Sequence, residues 1–318
     1  MSPPSSALAP AGVQAARIAS LFWAYVGIVT VVFALVSGAF LVALVWRRSN
    51  HAPKRELPAE AERSRRRAVG VAIAATCVTL VVMLTLSVAT SRAIASMSTK
   101  DALPIEVVGH QWWWELRYPA SVAGTQFTTA YEMHIPVGRP VEVKLQSADV
   151  IHSFWVPSLH GKRDAIPGKN SSLVLRADAP GRYQGHCAEF CGTQHANMRF
   201  VVVAESEEDF AKWLEHSLAP AVTPDDPEKL AGQQVFMKSR CIACHAIAGT
   251  EAFATVGPNL THVASRKKIA MGTLPNTPGH LGGWIVEPQQ AKPGTQMPGT
   301  ALAPADLNAL LSYLASLE

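Results

Sequence analysis

Two long apolar runs set the frame of this chain. Residues 21–46 are interrupted only by Thr30 and Ser37, residues 69–88 are similar, and neither run carries a charge. Each reaches the roughly 20 residues that a helix needs to cross a bilayer's hydrocarbon core. Backbone buried in lipid must close its own hydrogen bonds, which a helix does. The chain is therefore expected to begin with a two-helix transmembrane hairpin. Trp23, Tyr25 and Trp46 lie near the ends of the first run, where interface anchors belong. The 16% charged content falls below the about 25% of soluble proteins.

The loop between the runs sets orientation. It holds Arg47, Arg48, Lys54, Arg55, Arg63, Arg65, Arg66 and Arg67 against Glu56, Glu60 and Glu62, while the N-terminal tail holds Arg17 and no acid. Positive charge stays on the cytoplasmic side. Both termini, and everything after about residue 91, are then expected on the outer face of the membrane. A cleaved signal peptide is not expected, since the first run far exceeds an apolar h-region of about 7–15 residues.

The densest chemistry lies in CAEFCGTQHANM, residues 187–198, where Cys187, Cys191, His195 and Met198 follow one another at spacings of four, four and three. Thiolate, imidazole and thioether together select a soft ion such as copper over Mg or Ca. Two thiolates exceed what one copper requires, which points to a thiolate-bridged pair. A structural zinc site would make no use of Met198. A second motif, CIACH at 241–245, has the C-x-x-C-H form of a c-type haem attachment site. Of the five cysteines only Cys77 stands outside these motifs, alone in an apolar run, so no disulfide framework is expected. Two redox centres in one chain point to electron transfer, and a net charge of +4 gives no reason to invoke nucleic acid.

Outside the hairpin (1–91) the chain divides by pattern. Residues 92–218 read as an all-β domain, because short alternating runs such as Val141, Val143 and Leu145 are separated by Gly and Pro. It closes with a helix over 207–218, capped by Ser206 with Asp209 three residues on. Residues 219–227, APAVTPDDP, form a linker. Residues 228–318 are helical at both ends, with Leu307, Leu310, Leu311, Leu314 and Leu317 on one face of the last helix.

HQWWWELRY at 110–118 and DVIHSFWVPSL at 149–159 lie upstream of the cysteine run. With it they closely resemble subunit II of haem-copper cytochrome c oxidases, over about residues 20–218. The resemblance implies a cupredoxin-like β-sandwich carrying the dinuclear copper centre CuA. By position, Cys187 and Cys191 bridge both coppers. His152 and Met198 complete one, and His195 with the backbone carbonyl of Glu189 completes the other. It further implies that the Glu189 side chain binds a Mg ion shared with subunit I, and that Trp112 passes electrons to CuA. His110, His134, His160, His186 and His262 match no functional position.

The last segment resembles a class I cytochrome c, an all-α fold. This implies that Cys241 and Cys244 form thioethers to haem c, that His245 is the proximal iron ligand, and that the Pro258 carbonyl receives its N–H. Met297, in GTQMPG, is the expected distal ligand. Met237 lies too close before the haem motif, and Met271 lacks the following Pro. Gly232, Phe236, Leu310 and Tyr313 resemble helix-crossing contacts. His/Met ligation raises a haem's potential, which suits a donor to copper.

The whole chain thus resembles subunit II of a proton-pumping caa-type oxidase. Implied partners are subunits I and III, with a cytochrome c or a preceding respiratory complex as donor. A CuA subunit of a nitric oxide reductase would share the copper motif, and a tethered electron carrier would need no catalytic partner. The family's Glu and Trp at the cytoplasmic start of the second helix have no match in AEAERSRRRAVG, where Glu60 and Glu62 are the acids present.

Overall fold

Helix α1 (Val13–Ser49) and helix α2 (Ala59–Ala95) each run for 37 residues. At about 1.5 Å per residue each is near 55 Å long, more than the hydrocarbon core requires. Both extend past the apolar runs because Ala- and Arg-rich flanks continue the helix. In this computed structural model the described residues are 6–49, 59–97 and 99–318, with only the backbone of 47–49. Lys54, Arg55, Glu56 and the side chains of Arg47 and Arg48 lie outside them. Large apolar side chains such as Phe33, Leu35 and Val71 are exposed along both helices, which lipid explains and water does not. The Tyr25 hydroxyl donates to the Met83 carbonyl at 2.5 Å, joining the two helices. At the start of α2, Glu60 and Glu62 face the positive end of the helix dipole.

The second unit comprises residues 6–15 and 99–318. Its first half is a sandwich of ten strands: β1 (Leu103–His110), β2 (Trp113–Tyr118), β3 (Phe127–Ala130), β4 (Glu132–Pro136), β5 (Val141–Ser147), β6 (His152–Trp155), β7 (Arg163–Ala165), β8 (Ser171–Leu175), β9 (Gly181–Cys187) and β10 (Arg199–Glu205). One sheet has the order β3-β2-β1-β5-β8 and the other β4-β10-β9-β6-β7. β1 pairs with β5 and β4 with β10 in parallel; every other pairing is antiparallel. Alternation does the folding. Leu103, Ile105 and Val107 point inward with Val141, Val143 and Leu145, and they meet Trp114, Phe154 and Phe200 across the core. Residues 6–15 are tied to this sandwich: Ala11 N–H donates to the Ser158 carbonyl at 2.7 Å, and the Gln14 amide donates to the Val174 carbonyl at 2.9 Å.

A one-turn helix α3 (Ala120–Ala123) interrupts the strands, and α4 (Glu207–Leu218) closes the sandwich. The Ser206 hydroxyl accepts from the Asp209 N–H at 3.0 Å, as the capping pattern predicts. Trp213 of α4 stacks on His134, with ring centroids 4.2 Å apart. His134 Nδ1 lies 2.8 Å from Glu205, and Nε2 lies 3.9 Å from Glu132. Burial works against a charged imidazole here, but the two carboxylates outweigh it and raise the His134 pKa above the ordinary 6.5. A raised folded-state pKa adds stability that is complete below the unfolded value and is lost as pH rises through the folded one. The sandwich should therefore lose thermal stability as pH rises above the ordinary histidine value of about 6.5. His134→Gln should flatten that part of the melting profile. An identical pH slope in the variant would show that His134 is not the group responsible.

The last part is helical: α5 (Pro227–Lys238), a 3-10 turn at Arg240–Ala243, α6 (Pro278–Val286), α7 (Pro288–Ala291) and α8 (Pro304–Leu314). Asp226 caps α5, accepting from the Glu228 and Lys229 N–H groups. Phe236 of α5 meets Leu310, Tyr313 and Leu314 of α8 in a separate core. Leu317 is buried there too, but beyond the end of α8 rather than on its face.

Candidate metal centres

Strand β6 presents His152, the end of β9 presents Cys187, and the following loop carries Glu189, Cys191, His195 and Met198. The fold brings all six together. Cys187 Sγ lies 3.8 Å from Cys191 Sγ, 3.9 Å from His152 Nδ1 and 3.3 Å from the Glu189 carbonyl oxygen. Cys191 Sγ lies 3.6 Å from His195 Nδ1 and 3.8 Å from Met198 Sδ. His152, Cys187, Cys191 and Met198 are buried and His195 half-buried. The Cys187 thiol is pushed far down, first by its neighbour Cys191, although burial opposes the charge. The thiolate is the metal-binding form. Two sulfurs, two imidazole nitrogens, a thioether and a carbonyl therefore converge, a donor set that fits copper and would suit neither Mg nor Ca.

Asp149 orients the upstream histidine. Its carboxylate lies 2.7 Å from His152 Nε2 and accepts the Gln111 and Val150 N–H groups at 2.6 and 2.7 Å. Burial raises its pKa, but these hydrogen bonds prevail and hold it below the usual value. With Nε2 engaged, Nδ1 is the nitrogen left facing Cys187. Gly109 makes room for the ring: a Cβ there would stand 2.7 Å from His152 Cδ2. Asp149→Asn should lower copper affinity about 10- to 100-fold, as loss of an outer-shell partner does. Competition against a copper chelator measures this, and unchanged affinity would remove Asp149 from the site.

Trp112 is half-buried beside this loop, its indole N–H donating to the Cys191 carbonyl at 2.9 Å. Trp113 stacks on His110, and Trp114 fills the sandwich core. The Glu189 side chain is 44% exposed and faces Lys162 at 3.4 Å.

In the helical part, Cys241 and Cys244 are free and half-buried. His245 Nδ1 lies 2.7 Å from the Pro258 carbonyl, so Nε2 is the nitrogen left for a metal. Burial lowers the His245 pKa and favours the neutral imidazole a metal needs. A Cβ at Gly257 would stand 2.7 Å from His245 Cε1. These residues fit a haem c. Met297 and Cys241 are packed against the same core. Met271 lies elsewhere, in a cluster with Ala130, Tyr131, Val201 and Val203 of the sandwich.

Two residues here have no sequence signal. Lys292 is 3% exposed, and its ammonium donates to the Trp112 carbonyl at 2.9 Å. Burial pushes its pKa down to about 8. Gln194 is 4% exposed and donates to the Pro293 carbonyl at 2.7 Å. A lone Lys or Gln in a polar loop reads as solvated.

A family model for the periplasmic domain of cytochrome c oxidase subunit II matches residues 123–205, and a cytochrome c model matches residues 230–318. Cytochrome c oxidase subunit 2 of Alkalihalophilus pseudofirmus is 37% identical over 252 residues, covering 76% of this chain and 72% of the relative. The Bacillus subtilis protein of the same name is 31% identical over 251 residues, covering 75% and 69%. The crystal structure of the periplasmic domain of subunit II of cytochrome oxidase from Bradyrhizobium japonicum is 32% identical. It covers 38% of this chain and 96% of that one, at a TM-score of 0.36. The family matches imply copper and haem c, and the two apolar helices with the subunit II relatives make this a membrane-anchored subunit of an oxidoreductase complex. With a two-helix hairpin, a cupredoxin-like sandwich and a C-terminal cytochrome c domain, the chain belongs to the cytochrome c oxidase subunit 2 family.

Proposed function

We propose that this chain is the electron-input subunit of a proton-pumping caa-type oxidase. It accepts electrons at haem c and passes them through a dinuclear CuA centre to the oxygen-reduction site of subunit I. One observation carries the reading: soft donors from His152, Cys187, Cys191, His195 and Met198 converge in one loop cluster, followed in the chain by a C-x-x-C-H domain. When bound, the copper pair and the haem each supply a one-electron site.

The chain's own residues do the rest. Cys187, Cys191, His152, His195, Met198 and the Glu189 carbonyl would hold the copper pair. A rigid sandwich holds these loop donors so that little must move when an electron arrives. Asp149 fixes the His152 ring, and Pro258 fixes the His245 ring. Cys241 and Cys244 would tether a haem c, and His245 and Met297 would hold its iron. Trp112 leads to the copper loop through its contact with the Cys191 carbonyl. The Glu189 carboxylate is offered to a Mg ion shared with subunit I.

We assign residues 1–91 to the tail and hairpin, 92–218 to the CuA domain, 219–227 to the linker and 228–318 to the cytochrome domain. Arg63, Arg65, Arg66 and Arg67, exposed near the start of α2, support a cytoplasmic loop. Both metal domains then stand on the periplasmic side of the inner membrane. Subunit III, and a soluble cytochrome c or a preceding respiratory complex as donor, complete the proposed assembly.

The test is oxygen uptake by the complex purified through this chain and driven by reduced cytochrome c, with nitric oxide consumption measured in parallel. Fast oxygen uptake with a haem a band in the optical spectrum is expected. Nitric oxide turnover without oxygen turnover would move the chain to a reductase. Neither activity, with both centres loaded, would leave a tethered carrier.

A further inference from the structure

The loop that carries Met297 is joined to the loop that carries the copper donors. Lys292 follows α7 and lies five residues before Met297. Its ammonium, almost wholly removed from water, donates to the Trp112 carbonyl at 2.9 Å. Next to it, the Pro293 carbonyl accepts from the Gln194 amide at 2.7 Å, and Gln194 is itself held by Asn197 Nδ2 at 2.8 Å. A Cβ on Gly294 would touch Thr193 at 3.6 Å and the Trp112 ring at 3.7 Å. Trp112 and Gln111 both donate to the Cys191 carbonyl, at 2.9 and 2.8 Å. A continuous bonded path thus joins 292–294 of the cytochrome domain to Cys191.

A second contact stands apart from the first. Met271 is buried in an apolar cluster with Tyr131, Val201 and Val203 of the sandwich. Its backbone sits at φ +56°, a strained conformation that persists where surrounding contacts over-determine it.

A buried ammonium is costly unless hydrogen-bonded. Lys292 therefore fixes the register of the docked loops, because a slip that kept it buried but took it from the Trp112 carbonyl would leave the ammonium unpaired. A tethered domain held at defined points also replaces a bimolecular encounter with a preformed contact. We propose that Lys292, with Gln194, is a positioning latch that fixes the Met297 loop on the Trp112 face of the copper loop. The proposal rests on the reading that this face receives electrons from the cytochrome domain.

Lys292→Met in the intact complex tests it, because Met keeps most of the stem and removes the donor. Hydrogen–deuterium exchange should accelerate about tenfold or more in peptides covering 108–118 and 288–297, the size expected for losing a hydrogen bond from a charged donor. Peptides from β5, α5 and α8 should keep their protection. After rapid reduction of haem c, the copper spectrum should follow about tenfold or more slowly, with both optical spectra unchanged in shape. Unchanged exchange at both loops would overturn the latch. Faster exchange with an unchanged transfer rate would leave the latch standing and defeat the reading that electrons cross here. Lys292→Gln keeps an N–H donor, and it replaces the Met variant if that variant loses its haem spectrum. A smaller acceleration is expected of it, and none would overturn the latch.

Discussion

Cys187→Ser should abolish the copper centre while leaving haem c intact. Serine's hydroxyl remains protonated at neutral pH and is a hard donor, so the site loses one of two sulfurs and the charge that sulfur carries. His152 Nδ1 and the Glu189 carbonyl, which lie 3.9 and 3.3 Å from Cys187 Sγ, lose the atom they converge on. Losing even an outer-shell partner costs about 10- to 100-fold in affinity or activity, and loss of a thiolate donor should cost at least the upper figure. Copper bound per chain, the copper electron paramagnetic resonance signal and oxygen uptake should all collapse, while the haem c band stays. Full copper content with an unaltered signal in the serine variant would mean that Cys187 is no ligand.

Gly232→Val should unfold the cytochrome domain. Gly232 lies where α5 crosses α8, and a Cβ there would run into the Ala309 carbonyl and stand 2.8 Å from Tyr313 Cβ. Helix propensity alone argues the other way, since Gly inside a helix costs about 1 kcal/mol relative to Ala. Sterics win because the obstructing group is backbone and cannot rotate aside. Overpacking of this kind costs about 3 kcal/mol or more, which lowers the Tm of a domain this size by more than about 10 °C. The copper signal should survive, and Gly232→Ala should fall between the two. A valine variant with unchanged haem-domain melting would show that the helices part at no cost.

The metal donors were legible because their chemistry is local. Five of the six copper candidates fall within twelve residues, and C-x-x-C-H is contiguous. The strands were legible through alternation at Val141, Val143 and Leu145, and the α4 cap through Ser206 and Asp209. Asp149 stood in a quoted motif without a role, because only folding sets its carboxylate against His152 Nε2. Met271 looked like a rival haem ligand until its burial against Tyr131 placed it in a different cluster. His134 gave no signal, since its partners Glu132, Glu205 and Trp213 come from three separate elements.

By itself, then, the sequence determined which residues are candidate metal donors, where the apolar helices run and which domains follow. Those properties depend on residue type and short spacing. Tertiary structure alone decided which nitrogen of His152 and of His245 stays open, and that Lys292 meets Trp112 across 180 residues. It also buried that lysine's charge between two domains. Such choices depend on which groups share one dry space, and that follows from all the contacts of the fold together.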